Sequence, residues 1–346
     1  MAKIALLGLG LIGGSLGLAL KKSRLRDVEL VGHSRSRETR EKARRAGAID
    51  TIAPDPASAV RDAAIVIIAT PILTIRQMME EIAPALPESC VVTDAASTKA
   101  EVMRWAQEIL PEHVSFVGGH PMAGKELMGM DAAEAGLFEG KTYCIVPSPT
   151  AKETAVNAVV GLAELVKAVP VYMDAEEHDS YVAAVSHLPL VVSTALFSLV
   201  HDSPAWPEMS QLASSGFRDV TRLASGSPQM SDDICRTNRQ NLAHWLNRMA
   251  QELLKYRDLI QGIDEEELLK IFARIQIERD TFIAGGAKLR KDRAASEALA
   301  NAKITITDLL MGQWASKRTR EIMKAVEGDP ETRRPDRRGR PSGRER

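Results

Sequence analysis

The sequence predicts an α/β protein: a doubly wound parallel sheet at the N-terminus, followed by an all-α domain. Three observations carry this prediction. Short runs of branched apolar residues alternate with segments of helical composition over the first half, and a glycine triplet follows the first run. After Pro149 the short runs nearly vanish and helical periodicity takes over.

In chain order the strands are "KIALLG", "VELVGH", "AIVIIAT", "CVVTDAA", "VSFVGG" and "KTYCIVPS". Each is apolar on both alternating faces, as a strand covered by helices on both sides must be. Between them stand "SRETREKARRAG" and "IRQMMEEIAPAL", whose composition is helical. The opening stretch superficially resembles a signal peptide. Its glycines and the lack of a small-residue cleavage site make it folded structure instead.

The second half begins with a helix, "KETAVNAVVGLAELVKAV", and one short extended piece, "VPVYMD". The next helix holds "SYVAAVSHLPLVVSTALFSLV" and is apolar nearly all round, so it must be buried within its domain or against a partner chain. Pro189 and the scattered Ser and Thr are expected to break it as a membrane span. Leu242, Trp245, Leu246, Met249, Leu253 and Leu254 recur at helical spacing, predicting one amphipathic helix from Asp232 to about Ile260. Two or three more helices are expected up to Val326. The tail "EGDPETRRPDRRGRPSGRER" has almost nothing apolar to bury, which predicts disorder. The expected domains are therefore 1–148, 149–326 and a disordered arginine-rich 327–346.

Apolar residues make up 45% of the 346 and charged ones 26%, values of a soluble globular chain. A net charge of −1 gives no electrostatic case for nucleic acid or membrane as partner. Cys90, Cys144 and Cys235 are too far apart for a zinc site or a disulfide scaffold. A cytoplasmic protein without a metal is the expectation.

Gly8, Gly10 and Gly13 form G-x-G-x-x-G between a strand and a helix. The first glycine allows the tight turn, the second lets the backbone approach a pyrophosphate, and the third lets helix and strand pack closely. Unpaired N–H groups at the helix start, including those of Leu11 and Ile12, would hold the anion. This is a Rossmann dinucleotide site, and Thr70 and Pro71, after the "AIVIIAT" strand, are assigned to the same pocket. An acid at the end of the second strand would select NAD through the ribose hydroxyls. Here Ser34, Arg35 and Arg37 occupy that stretch, so NADP is the expected cofactor and NAD the alternative.

Three clusters are left for chemistry. "TDAASTK" places Ser97, Thr98 and Lys99 after the fourth strand, and "FVGGHPMAGKE" places His120 after the fifth. Both lie on the carboxyl edge where ligands of open α/β sheets bind. A hydroxyl and an imidazole there would make a proton-abstracting pair. In the helical half, His187 lies on an apolar helix, where a lone histidine is more often a core residue than a ligand. "SSGFRDVTRLASGSP" gathers Ser215, Gly216, Arg218 and Arg222, either as surface ion pairs or as a clamp for a carboxylate.

Taken in order, the glycine motif, "DAASTK", "GGHPMAGKE", "VSHLP" and "GFRDVTR" resemble the prephenate and arogenate dehydrogenases of tyrosine biosynthesis. The resemblance runs to about residue 260. It implies a Rossmann domain followed by a helical domain that dimerises and helps bind substrate. It also implies an oxidative decarboxylation, in which a cyclohexadienol loses its hydroxyl proton to a base, a hydride to NAD(P) and its ring carboxylate as carbon dioxide. His120 would take the proton, or accept its hydrogen bond as the hydride departs, and Ser97 would orient it. Arg222 would hold the substrate carboxylate and His187 would shape the pocket, with Arg218, Ser215 and Gly216 beside them.

Two positions depart from the pattern of many prephenate-using members: Leu190 stands where they have a second histidine, and Ser231 where they have a tryptophan. Together with the acid-free second strand, this looks more like the NADP-dependent arogenate dehydrogenases of cyanobacteria. Arogenate is the expected substrate and prephenate the alternative. Two rivals remain. A hydroxyacid or pyrroline-carboxylate dehydrogenase shares the domain plan, but the former commonly uses a lysine in its helical half, where this chain offers histidine and arginine. A nucleotide-sensing regulator without catalysis would have no need of Ser97, His120 and Arg222 together.

Overall fold

The computed structural model describes residues 1–262 and 265–283, with the backbone of 304 and 305. The helices expected beyond 283 and the arginine-rich tail lie outside the described residues. Eight strands form one sheet: β1 (Ala2–Leu7), β2 (Val28–His33), β3 (Thr51–Ile52), β4 (Ala63–Ile68), β5 (Val91–Asp94), β6 (Ser115–Pro121), β7 (Thr142–Pro147) and β8 (Val169–Tyr172). Their order across the sheet is β3-β2-β1-β4-β5-β6-β7-β8. The first six are parallel in the order of the doubly wound dinucleotide fold. Strand β7 runs antiparallel to β6, setting Cys144 opposite His120.

Alternation along β1 shows why the strands read as continuous apolar runs. Ile4 and Leu6 face a cluster beneath helices α1 (Leu11–Lys22) and α6 (Glu153–Leu165). Ala5 and Leu7 face another beneath α4 (Ile72–Ile82) and α5 (Ala100–Ile109). Between α1 and α4 lie the shorter α2 (Arg37–Arg45) and α3 (Pro56–Val60). The sheet does not stop at residue 148. Helix α6 covers it and β8 pairs in parallel with β7, so the change of composition at Pro149 marks the end of the buried strands, not of the sheet. Strand β8 is half exposed, with the pattern of an edge, and that is why it does not read as a core strand.

The helical half opens with α7 (Ala175–Val182), a wider π turn (Ala183–His187) and α8 (Leu188–His201). Pro189, expected to break this stretch, sits in the first turn of α8, where its missing N–H is no loss. By length and composition alone the resulting helix, Ala175–His201, is enough to cross a membrane. Its His178, Asp179 and His187 are nonetheless buried and hydrogen-bonded. Helices α9 (Trp206–Leu212), α10 (Ser215–Thr221), α11 (Pro228–Thr237), α12 (Arg239–Gly262) and α13 (Glu265–Ile283) follow. The single helix expected from Asp232 is split at Asn238, whose side chain is drawn away to other partners.

Leu190 and Ile234 join the core cluster under α4 and α5, tying the two halves together. Beyond Leu190 and Ser193 no residue of α8 is fully buried in its own chain: Leu199 is 75% exposed, and Val185, just ahead of the helix, 71%. Among the described residues, burial within its own domain covers only part of this helix.

Candidate active site

The sheet reverses direction of winding at β1, and a cleft of about 280 Å³ opens there at the carboxyl ends of β1, β2 and β4. Gly8 has φ +97°, and a Cβ there would lie 2.4 Å from the Ala69 carbonyl oxygen. At Gly13 an added Cβ would stand 1.8 Å from the carbonyl oxygen of Gly8, so only glycine lets α1 pack this close. Gly10 is different: nothing lies within 4 Å of its missing side chain. That open position is where a ligand could meet the backbone.

Helix α1 begins at Gly10 without a side-chain cap and without an acid in its first turn. Its first N–H groups therefore have no intrahelical partner and favour an anion. Leu11 and Ile12 pack their side chains on the core and offer only backbone. Of the residues assigned to the cofactor, Ser34, Arg35, Thr70 and Pro71 line the cleft, while Arg37 opens α2 and does not. Thr70 adds a buried hydroxyl that has no hydrogen-bond partner among the described residues. Unread in the sequence is His33, in the same wall, whose Nδ1 lies 3.1 Å from the Ala53 carbonyl oxygen. These features fit a dinucleotide.

Farther along the carboxyl edge, β6 delivers His120 into a buried polar cluster. Gly119 precedes it because a side chain there would strike the Asp94 carbonyl oxygen at 2.6 Å; at Gly118 the nearest atom is the yielding Met103 sulfur at 2.9 Å. His120 Nδ1 is 2.8 Å from His178 Nε2, and His178 Nδ1 is 2.7 Å from Asp179 Oδ1. Asp179 also accepts from the N–H groups of Lys99 (2.7 Å) and Ala100 (2.9 Å), capping α5 from the other half of the chain. Asn238 donates to the Asp179 carbonyl (2.7 Å) and lies 3.2 Å from His187 Nδ1.

Beside them Lys99 and Asp94 form an ion pair with no solvent exposure, and Asp94 accepts further from the N–H groups of Ala96 and Gly119. A buried pair of this kind needs such extra bonds to offset desolvation. It fixes the loop that carries Ser97. Burial, with His178, Lys99 and His187 nearby, holds the His120 imidazole well below its usual range. Burial likewise lowers His187 to about 4, although Asp179 pulls the other way. Both rings are neutral at physiological pH.

The sequence-predicted residues divide into two groups. Ser97, His120 and His187 are brought together: Ser97 is half-buried on the loop after β5, and its backbone faces the His187 ring, whose buried Nε2 has no hydrogen-bond partner among the described residues. Ser215, Gly216, Arg218 and Arg222 are exposed around α10. Arg222 forms an ion pair with Glu126, which follows His120 by six residues in the sequence. Leu190 is a core residue, and the Ser231 hydroxyl is turned to the Ser227 carbonyl oxygen at 3.1 Å. His178, Asp179 and Asn238 were missed. The adjacent His-Asp pair at the start of an apolar helix was the one available signal, since ionisable groups are rarely buried without a partner.

A dinucleotide cleft at the winding reversal, with a neutral buried imidazole along the same edge, defines a nicotinamide-dependent dehydrogenase with a helical second domain. Comparison with known proteins narrows the class. The family model "Prephenate dehydrogenase, nucleotide-binding domain" matches residues 16–172, and "Prephenate dehydrogenase, dimerization domain" matches 174–274. Prephenate dehydrogenase of Bacillus subtilis (strain 168) is 37% identical over 279 residues, 80% of this chain and 75% of that protein. The crystal structure of Synechocystis arogenate dehydrogenase superposes with a TM-score of 0.69 at 31% identity, covering 81% of this chain and 99% of that one. That of A. aeolicus prephenate dehydrogenase in complex with hydroxyphenyl propionate and NAD+ gives 0.75 at 30% identity, covering 82% and 98%.

The chain belongs to the prephenate dehydrogenase family, whose members include arogenate-named enzymes. It is an NAD(P)-dependent dehydrogenase acting on a small molecule and carrying a dimerization domain.

Proposed function

We propose that the protein is an NADP-dependent arogenate dehydrogenase, converting arogenate to tyrosine by oxidative decarboxylation. The observation that carries the reaction is His120, buried, neutral, and with no hydrogen bond to Nε2 among the described residues, at the carboxyl edge of the sheet. A bound nicotinamide supplies the hydride acceptor. His120 takes the proton of the substrate hydroxyl as the hydride leaves the same carbon, because removing that proton raises the electron density that expels the hydride. Ser97, on the loop stiffened by Lys99 and Asp94, orients the hydroxyl. Arg222 exchanges its Glu126 partner for the substrate carboxylate, which a guanidinium binds in two parallel hydrogen bonds. His187 closes the pocket wall, and Arg218, Ser215 and Gly216 contribute from the α10 turn.

Support for NADP comes from Ser34 and Arg35 in the cleft wall, with no acid at the end of β2. Arogenate over prephenate rests on Leu190 and Ser231 and on the likeness to the Synechocystis enzyme. Prephenate is the second reading, favoured by the higher identity to the Bacillus subtilis protein. Homodimerisation through α8 follows from its exposed apolar surface and the matched dimerization domain. The free thiols Cys90, Cys144 and Cys235 suit a cytoplasmic protein.

Steady-state assays of arogenate and prephenate, each with NADP and NAD, test this reading by the absorbance of the reduced cofactor. The highest kcat/KM is expected for arogenate with NADP. A preference for prephenate or NAD would reject that part of the proposal, and no turnover with any pair would reject the reaction.

A further inference from the structure

The His120–His178–Asp179 chain has a direction. Asp179 is a carboxylate and only accepts, so the 2.7 Å contact must be a donation from His178 Nδ1–H. With one proton on its ring, held by this donation on Nδ1, His178 has its lone pair on Nε2. In that form the 2.8 Å contact with His120 Nδ1 is a donation from His120, which leaves the lone pair of His120 on Nε2. Free imidazole offers no such certainty, since its two tautomers interconvert.

We propose that His178 and Asp179 are positioning residues that fix the tautomer of His120 and receive the positive charge when it takes a proton. The proposal rests on His120 being the base. As the substrate O–H bond breaks, a proton bonds to His120 Nε2. The Nδ1 proton of His120 passes to His178 Nε2, and the resulting imidazolium lies against the Asp179 carboxylate. No electrons leave the chain of rings. When carbon dioxide departs, the electron pair of its bond flows through the ring to the oxygen, and the proton returns by the same path to give the phenol.

Two features make this arrangement useful where His120 sits. A cation on that ring would be buried beside the Lys99 ammonium, whereas on His178 it meets a carboxylate at 2.7 Å. Asp179 also caps α5 across the two halves, so the base is correctly tautomeric only when the helical half is docked. Among the described residues, the charged and titratable groups beside the two rings are Lys99, itself paired with Asp94, and Cys144 opposite His120 from the sheet side, and Asp179 and His187 from the helices.

Nitrogen NMR of the histidine-labelled protein, without substrate or cofactor, reads the tautomer directly. His120 and His178 are both expected as the Nδ1–H form, and His178→Gln should return His120 towards the Nε2–H form. His120 already in the Nε2–H form in the unmodified protein would overturn the proposal. Kinetics supply the second arm, using single-turnover reduction of the cofactor in mixtures of light and heavy water. The unmodified enzyme should show two protons in motion, and a linear dependence would reject the relay. His178→Gln, which leaves the Asp179 cap in place, should lower this rate roughly 10–10³-fold with KM little changed. Asp179→Asn should in addition move the acid limb of the rate profile to lower pH, because a carboxylate that favours the protonated pair is gone. If His120→Asn abolishes turnover while both variants match the unmodified enzyme, the relay fails and the base stands. If His120→Asn is fully active, the reading of the base fails with it.

Discussion

The cofactor cleft and the histidine cluster lie on one edge of one sheet yet are built by opposite means. In the cleft the backbone does the shaping. Three glycines within six residues set the turn, and each has a different reason for lacking a side chain. In the cluster side chains do the shaping, drawn from β5, β6, the loop before α5, α7, the π turn and the break before α12. A backbone site tolerates an open, wet surface because N–H groups need no further support. A side-chain site for a proton must be dry, and every buried polar atom in it then needs a partner.

The contrast breaks first at His120. His120→Asn should lower kcat by roughly 10²–10⁴, the usual contribution of a positioned base, with cofactor affinity unchanged in a binding titration. Loss of cofactor binding instead would mean the two regions are not separable. On the cleft side, Arg35→Ala should weaken NADP by about 10–100-fold, the value of one charge-assisted contact of about 1.5–3 kcal/mol. NAD should bind as before; equal loss for both nucleotides would remove the 2′-phosphate from the role of Arg35.

Within the glycine turn the comparison can be made sharper still. Gly13→Ala puts a methyl group into the Gly8 carbonyl and should cost about 1–3 kcal/mol in chemical unfolding. Gly10→Ala meets nothing in the protein, so its stability should match the parent while its affinity for the dinucleotide falls. If both variants unfold alike, the two glycines do not have the separate roles the geometry gives them.

Legibility in the sequence follows the same division. The glycine turn, the strands of the doubly wound sheet and the acid-free end of β2 were readable because each depends on residues close together in the chain. His120 was visible through the glycines and proline that bend the backbone around it. What supports it was not: His178 and Asp179 are 58 and 59 residues on, and nothing local says that an acid in the first turns of α7 will cap α5. Pro189 misled because a proline in the first turn after a π turn leaves the helix unbroken. Asn238 was hidden inside an apolar periodicity that continues past it, although its side chain, bonded elsewhere, ends one helix there and starts another. Strand β8 escaped the domain boundary because an edge strand need not be apolar on both faces.

The smallest effect expected is on acid stability, and it belongs to the cluster alone. His187 is held at about 4 when folded, against 6.5 for an ordinary imidazole. Below pH 6.5 the unfolded chain binds a proton there that the folded chain does not, so stability falls as pH falls, until about pH 4. Above 6.5 neither state binds it and stability is flat with respect to this group. One proton corresponds to at most about 1.4 kcal/mol per pH unit. His187→Gln, which keeps an acceptor for Asn238, should therefore reduce the slope of unfolding free energy against pH by up to that amount, measured by urea denaturation between the two values. An unchanged slope would mean that the ring takes up its proton without unfolding. The cluster would then be wetter than its burial indicates, and the dry site that a neutral base at His120 requires would be lost with it.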